Sequence, residues 1–429
     1  MAIGIRPMTP AAENRSARRS RKISAYGKRN PPRILSSIPV IARAASPNQT
    51  IPGAGNLFSR RPKPVTGARR IPGWIEHVPA YDAFLLLSFG GPEGPEDVLP
   101  FLENVTEGRG VPAERLAEVA EHYYAAGGVS PISGQCRDLI AAIEAAGMDL
   151  PVYWGNRNWH PLLTDTVRRM AADGVRHAVA FATSAYSSYS ACRQYRDDIE
   201  AAIAGAGPGA PRIDKIRPYF NHPGFIEPFA ASTEAALRTL PPDLADGARL
   251  VFTAHSVPAG MAAASGSVSA GTVVPGGRYV AELREASRLI SERTRGGSLG
   301  WDLVFQSRSG PPSVPWLEPD VNDHLRVLAK AGVPGVVVVP VGFVSDHMEV
   351  VHDLDVEAAE TAASLDLAFA RAAAPGSSER FARMVCELTA ERTGSSGAPA
   401  LALGGFGPAA GDCPADCCRY ARRPAPGRS

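Results

Sequence analysis

The residues of this chain whose types and spacing could do chemistry are a row of acids, two histidines and a knot of cysteines. In GFVSDHMEVVHDLDVEAAE (342–360), Glu349, Asp353, Glu357 and Glu360 recur at i, i+4, i+8 and i+11. On a helix that spacing stacks the carboxylates along one face. Like charges four apart repel by a few tenths of a kcal/mol, so local helix stability does not explain the row. Two readings stay open. The acids could simply suit a helix N-terminus and an exposed face, or they could form a ladder of hard oxygen ligands that passes a divalent cation toward an imidazole. His347 precedes the first acid by two residues, with Ser345 or Asp346 expected as the helix cap. His255 closes the apolar run ARLVFTAH, with Ser256 and Pro258 behind it. An imidazole there can accept a proton near neutral pH or ligate a metal, or it can be a satisfied core or capping residue. Neither histidine belongs to an HExxH or HxH array, so a fixed zinc site is not supported.

Cys413, Cys417 and Cys418 crowd into CPADCC, and Cys136, Cys192 and Cys386 complete the set. With no secretory signal evident, thiols or metal ligands are expected rather than a disulfide frame. An iron–sulfur cluster takes four thiolates, so a fourth donor is needed beyond the three. Zinc held by four cysteines and a free, oxidation-prone tail are the alternatives. Cys136 and Cys386 read as structural.

These groups need elements to hold them. Strand-like apolar runs lie at 83–89, 150–155, 177–183, 248–255, 302–307 and 335–341, with helical patterns around 114–125, 135–146, 161–173, 190–204, 226–239, 277–293 and 320–331. Strand–helix alternation predicts an α/β protein with parallel sheets covered by helices on both faces. Six such units exceed one ordinary core, so two Rossmann-like domains are expected with a cleft between them. The expected division is a basic leader over 1–78, a first domain over 79–230, a second over 231–393 and a flexible Cys-containing tail over 394–429. Ligands of open parallel sheets bind beyond the strands' carboxyl ends. Those ends here carry SFGGPEGPED, GNRNWHP, ATSAYSSYSACRQYR, TAHSVP, QSRSGPP and SDHMEVVHD. Polar and aromatic loops at six ends predict a large, flat ligand with polar edges. GGPEGPE lacks the GxGxxG spacing of a dinucleotide site, and no GxxxxGK[ST] occurs.

The formal charge is only +2 over 429 residues, but residues 1–75 hold 15 Lys or Arg against the single acid Glu13. The remainder is therefore acidic, which disfavours nucleic acid and suits a protein that handles cations. The Arg-rich, Ser-rich leader reads as disordered, either a transit peptide or an over-called start. The longest apolar run, VPGVVVVPVGFV, is too short to cross a bilayer. A cytoplasmic monomer without an integral membrane segment is expected.

With TAHSVP and GFVSDHMEVVHDLD in one chain, the sequence resembles the ferrochelatase family, and within it the actinobacterial coproporphyrin type. LLLSFGGPEGPEDVLPFL, GGVSPI, GNRNWHP, SAYSSYSACRQYR and FQSRSGPP carry the likeness over about residues 80–395. The resemblance implies insertion of Fe²⁺ into a porphyrin in haem biosynthesis, with coproporphyrin III favoured and protoporphyrin IX the alternative. It places the family's invariant histidine on His255, its SDHxE glutamate on Glu349 and its further acids on Asp353 and Glu357. His255 and Glu349 would then meet the Fe²⁺ substrate. Propionates need cations and hydroxyls, and the candidates are Arg109, Ser130, Arg157, Tyr186, Ser188 and Tyr189. Similarity to actinobacterial relatives implies a [2Fe–2S] cluster on Cys192, Cys413, Cys417 and Cys418. The chain departs from related Gram-positive enzymes after the first strand, where Phe89 stands in place of a tyrosine that ligates iron. Partners beyond porphyrin and Fe²⁺ would be neighbouring haem-pathway enzymes. Competing readings are cobalt or nickel insertion into a corrin precursor, a haem-binding or delivery protein without turnover and, remotely, a nicotinamide-dependent oxidoreductase.

Overall fold

The structure, a computed structural model, describes residues 81–108, 110–266, 276–310 and 313–420. The leader expected over 1–78 and the candidate Arg109 lie outside the described residues. The chain runs β1 (Ala83–Ser88), α1 (Val98–Thr106), α2 (Ala113–Ala125), α3 (Pro131–Ala145), β2 (Val152–Asn156), α4 (Leu163–Ala172), β3 (His177–Ala182), a π-helical turn (Tyr189–Arg193), α5 (Gln194–Ala206) and β4 (Arg212–Lys215). It continues through α6 (Pro223–Leu237), α7 (Pro242–Ala245), β5 (Arg249–His255), α8 (Ala259–Ala263), α9 (Gly277–Arg293), β6 (Trp301–Gln306), α10 (Val321–Lys330) and β7 (Gly335–Val339). Last come α11 (Met348–Val351), a second π-helical turn (His352–Ala358), α12 (Ala359–Ser364), β8 (Ala368–Arg371) and α13 (Glu379–Thr393).

Two four-stranded sheets form, in the orders β2-β1-β3-β4 and β6-β5-β7-β8, with every pair parallel. The central strands β1, β3 and β7 are buried along their whole length, as uninterrupted apolar runs must be when helices cover both faces. Strand alternation divides each run between two layers. Ala83, Leu85 and Leu87 point to one packed layer, while Phe84 and Leu86 point to another. That second layer also takes Val179 and Phe181 from β3, Leu250 and Phe252 from β5, and Val337 and Val339 from β7. One continuous apolar core therefore runs between the two sheets.

The edge strands β4 and β8 have no counterpart among the sequence-read runs. RIDK and AFAR are four residues each and carry charges, as short edges do. The chain also crosses the division expected at 230/231. Phe381 of α13 is fully buried, and its ring meets Phe181 of the first sheet edge-on at 6.1 Å and Tyr219 at 6.2 Å. Burial of that side chain contributes about 1.5–3 kcal/mol.

The segment after α13 is tied down. Leu403 N–H donates to the Asn221 carbonyl at 2.8 Å, and the Asn221 amide returns bonds to the carbonyls of Leu403 and Gly407. Arg217, ion-paired with Glu391 at 2.7 Å, donates to the Leu401 carbonyl at 2.9 Å.

Candidate active site

Register brings the chemistry-bearing ends level with one another. Ser88 pairs with Asn156 in the first sheet, and His255 pairs with Gln306 in the second. Beyond these ends lies a cavity of about 560 Å³, lined by His255, Phe89, Arg157, Tyr186, Trp316 and His347 among others. That volume falls in the range of small-molecule sites. A second cavity of about 20 Å³ adjoins it, bounded by Glu349, Ser130 and Tyr123 and sharing Phe89 and His347 with the first. It is large enough for about one water or ion. The backbone turns tightly to build this junction. Gly90 has φ +83°, and a Cβ on Gly91 would stand 2.7 Å from Cβ of Ser130.

His255 is buried at the end of β5. Its Nδ1–H donates to the Ser256 carbonyl, so in the neutral ring Nε2 carries the free lone pair. Nε2 is buried without a hydrogen-bond partner and lies 3.6 Å from Oε2 of Glu349. That distance is an ion-pair contact but too long for a hydrogen bond. Burial works against charge on His255, yet the Glu349 carboxylate and the Ser256 carbonyl outweigh it and raise its pKa. His347 is driven the opposite way, its pKa lowered chiefly by burial. Two nearby imidazoles are thus shifted in opposite directions by their surroundings.

The helix that carries the acids begins later than its sequence suggests. Asp346 does not cap the helix, because Arg371 holds its carboxylate at 3.0 Å; His347, with extended backbone (φ −123°, ψ 171°), occupies the cap position of α11. From His352 the helix widens into the π turn. Residues four apart drift about 40° around an α-helix, whereas the wider i+5 turn drifts the other way. The combination keeps Glu349, Asp353 and Glu357 close to one line. Glu357, at the outer end of it, is 48% exposed against 13% for Glu349. Asp353 lies buried between them, accepting bonds from the Ser307 hydroxyl and, at 3.2 Å, the Gln306 amide. Burial, with the charge of Glu349, pushes its carboxyl up to about 7. Glu357 pairs with His352 at 3.4 Å. Among the described residues no three His, Cys, Asp or Glu side chains converge as a ready metal cage.

The proposed propionate contacts fall in different places. Arg157 lines the main cavity, stacked on Phe89 (5.7 Å) and Tyr195 (4.8 Å) and ion-paired with Asp198. Tyr186 contributes its ring to the wall, but its hydroxyl donates to the Val341 carbonyl at 2.8 Å. Ser188 is fully buried, and its Oγ accepts the Ala191 N–H at 2.9 Å to cap the first π turn. Tyr189 is half-buried, and its neighbours Ser190 and Ala191 face the cavity. Ser130 borders the small cavity beside Glu349 rather than the large one.

Sequence reasoning missed Glu282, which anchors this loop. Wholly buried on α9, it accepts the Ser187 N–H at 2.6 Å, the Ser187 hydroxyl at 2.8 Å and Arg278 at 2.6 Å. An acid on the apolar face of a helix was the available signal. Burial raises its pKa and Arg278 opposes that.

Of the four cysteines singled out in the sequence, Cys192 lies in the first π turn and the other three in the segment after α13, and among the described residues they do not converge as a ready metal-binding group. Sγ of Cys417 and Cys418 are 3.7 Å apart, and Cys418 Sγ accepts the Gly266 N–H at 3.1 Å. Cys192 and Cys413 border a shared pocket with Arg196 and Lys215. Burial and neighbouring thiols push Cys413 and Cys417 up to about 11, so without a ligand they hold their protons. Cys136 and Cys386 pack within or against the central core instead.

A family model described as Ferrochelatase matches residues 81–393. The chain is 56% identical to a coproporphyrin III ferrochelatase of Nocardia farcinica over 358 residues, covering 81% of this chain and 99% of the relative. It is 53% identical to a coproporphyrin III ferrochelatase of Streptomyces griseus, covering 81% and 95%. It is 49% identical to a ferrochelatase of Rhodopirellula baltica, covering 82% and 97%. Among the described residues no helix is long and apolar enough to cross a membrane.

Proposed function

The chain belongs to the ferrochelatase family, and from that premise we propose that it inserts Fe²⁺ into coproporphyrin III in haem biosynthesis. The observation that carries the site assignment is His255 Nε2, buried without a hydrogen-bond partner and facing Glu349 at 3.6 Å. Metallation removes two pyrrole N–H protons while Fe²⁺ sheds its waters. In the large cavity the macrocycle presents its nitrogens to His255, which accepts one pyrrole proton, and the neighbouring Glu349 carboxylate takes the second as Fe²⁺ enters. Fe²⁺ approaches along Glu357, Asp353 and Glu349, from the half-exposed end of the row toward the enclosed one. A line of single carboxylates suits handing on a cation, whereas a convergent cage would retain it. Phe89 offers no oxygen ligand, so it acts as an apolar wall between the two cavities. Arg157 is the cation placed to meet a propionate edge, in competition with Asp198.

The names of the relatives in Nocardia and Streptomyces favour coproporphyrin III. The deciding experiment is Fe²⁺ insertion by purified protein into coproporphyrin III and protoporphyrin IX side by side. The expected result is turnover with a clear preference for the first. Preference for protoporphyrin IX would overturn the substrate assignment. Tight porphyrin or haem binding with no insertion would instead identify a carrier.

Cys192, Cys413, Cys417 and Cys418 fit a [2Fe–2S] cluster in donor type and number. Arg193 and Arg196 donate to the Ala415 and Cys413 carbonyls, and Arg278 senses Cys413 and Cys417, so cations surround the thiols. When bound, the cluster supplies a one-electron redox centre that joins the C-terminal segment to the first π turn. Anaerobically purified protein is expected to absorb visible light, and C192S to lose that absorption. A colourless wild-type protein would remove the cluster from the assignment.

A further inference from the structure

The cysteine segment reaches the cavity itself. Tyr420, two residues beyond Cys418, lines the large cavity alongside Gly260 and Met261 of α8, the helix that follows His255. A Cβ built on Gly260 would stand 3.6 Å from Cε2 of Tyr420, so the ring lies over that glycine in van der Waals range. The path to this position is specific. Cys418 adopts φ +55°, a left-handed conformation uncommon for a residue with a side chain. Its Sγ holds the Gly266 N–H, and Cys417 and Cys418 are both buried. On the other side, Arg193 and Arg196 grip the carbonyls of Ala415 and Cys413. The segment is thereby fixed to the first π turn and α5 at one end and to the loop after α8 at the other.

We propose that Tyr420 is a positioning residue for the tetrapyrrole, its ring forming a wall of the cavity against which the macrocycle rests. This inference rests on the porphyrin reading above. An aromatic face suits a flat, polarisable ligand, and covering it removes apolar surface from water. The ring sits beside α8 and takes no part in the proton transfer assigned to His255, so its effect belongs to binding. The backbone bend at Cys418 aims the ring into the cavity.

The test uses the full chain as wild type, Y420F, Y420L and Y420A. Affinity for metal-free coproporphyrin III is read from quenching of tryptophan fluorescence, Trp316 being in the same cavity. Insertion kinetics and thermal unfolding are measured in parallel. Y420A is expected to bind about tenfold more weakly, with the loss appearing in KM and kcat falling less than about threefold. Y420F is expected within about twofold of wild type, and Y420L between the two, since it keeps the bulk and loses the flat face. Wild-type affinity in Y420A and Y420L with unchanged unfolding would overturn the proposal, as would Y420F binding as weakly as Y420A. Failure of the wild type to bind porphyrin would instead sink the functional reading beneath it.

Discussion

Replacing His255 with alanine is expected to lower Fe²⁺ insertion about 10³-fold while leaving porphyrin affinity within about threefold of wild type. The imidazole is held by one hydrogen bond from Nδ1–H to the Ser256 carbonyl, and its other nitrogen is left without a hydrogen-bond partner in a buried site. A buried polar atom in that condition is costly, and the cost makes sense if substrate supplies the missing contact. Removing the ring takes away the proton acceptor but not the apolar walls that hold the macrocycle. Single-turnover insertion, followed by the porphyrin absorption change, separates chemistry from binding. Insertion at the wild-type rate would dismiss His255 from the mechanism.

The second large effect is expected from Glu349→Gln, which keeps the shape of the side chain and removes its charge. Glu349 borders the small cavity, raises the pKa of His255 and helps to raise that of Asp353. It is therefore the junction between the metal route and the proton acceptor. We expect kcat/KM for Fe²⁺ to fall about 10²-fold, with the KM for porphyrin nearly unchanged. Glu349→Asp, one methylene shorter, should recover part of the loss. Equal losses in the KM values of both substrates would point to a collapsed cavity rather than to a missing carboxylate.

Much of the fold was readable because its central strands are uninterrupted apolar runs. AFLLLS and GVVVV have few alternatives to a strand buried on both faces. The edge strands RIDK and AFAR carry no such signal, since their placement comes from pairing with β3 and β7. The crossing of α13 to the first sheet was hidden for a related reason. Its apolar face is visible in sequence, but which sheet it covers is a tertiary choice.

The site divides in the same way. His255 and the acidic row stand out by type and spacing, whereas the fate of a hydroxyl depends on its neighbours. The Tyr186 hydroxyl donates to the Val341 carbonyl and the Ser188 hydroxyl accepts the Ala191 N–H, bonds that no pattern in the sequence announces. Neither Ser345 nor Asp346 caps α11, whose cap position is His347, and Arg371, distant in sequence, claims the Asp346 carboxylate. Tyr420 gave no sequence signal, as only the folded path of the cysteine segment carries it to the cavity.

The core that runs unbroken between the sheets, latched by Phe381 against Phe181, has a consequence for how a disc-shaped guest arrives. Jaws that share one apolar filling cannot gape without exposing it to water, so entry must be edge-first, like a coin into a slot. Whatever decorates the trailing rim of the disc stays near the opening, and a chain that tells one tetrapyrrole from another has to do so there.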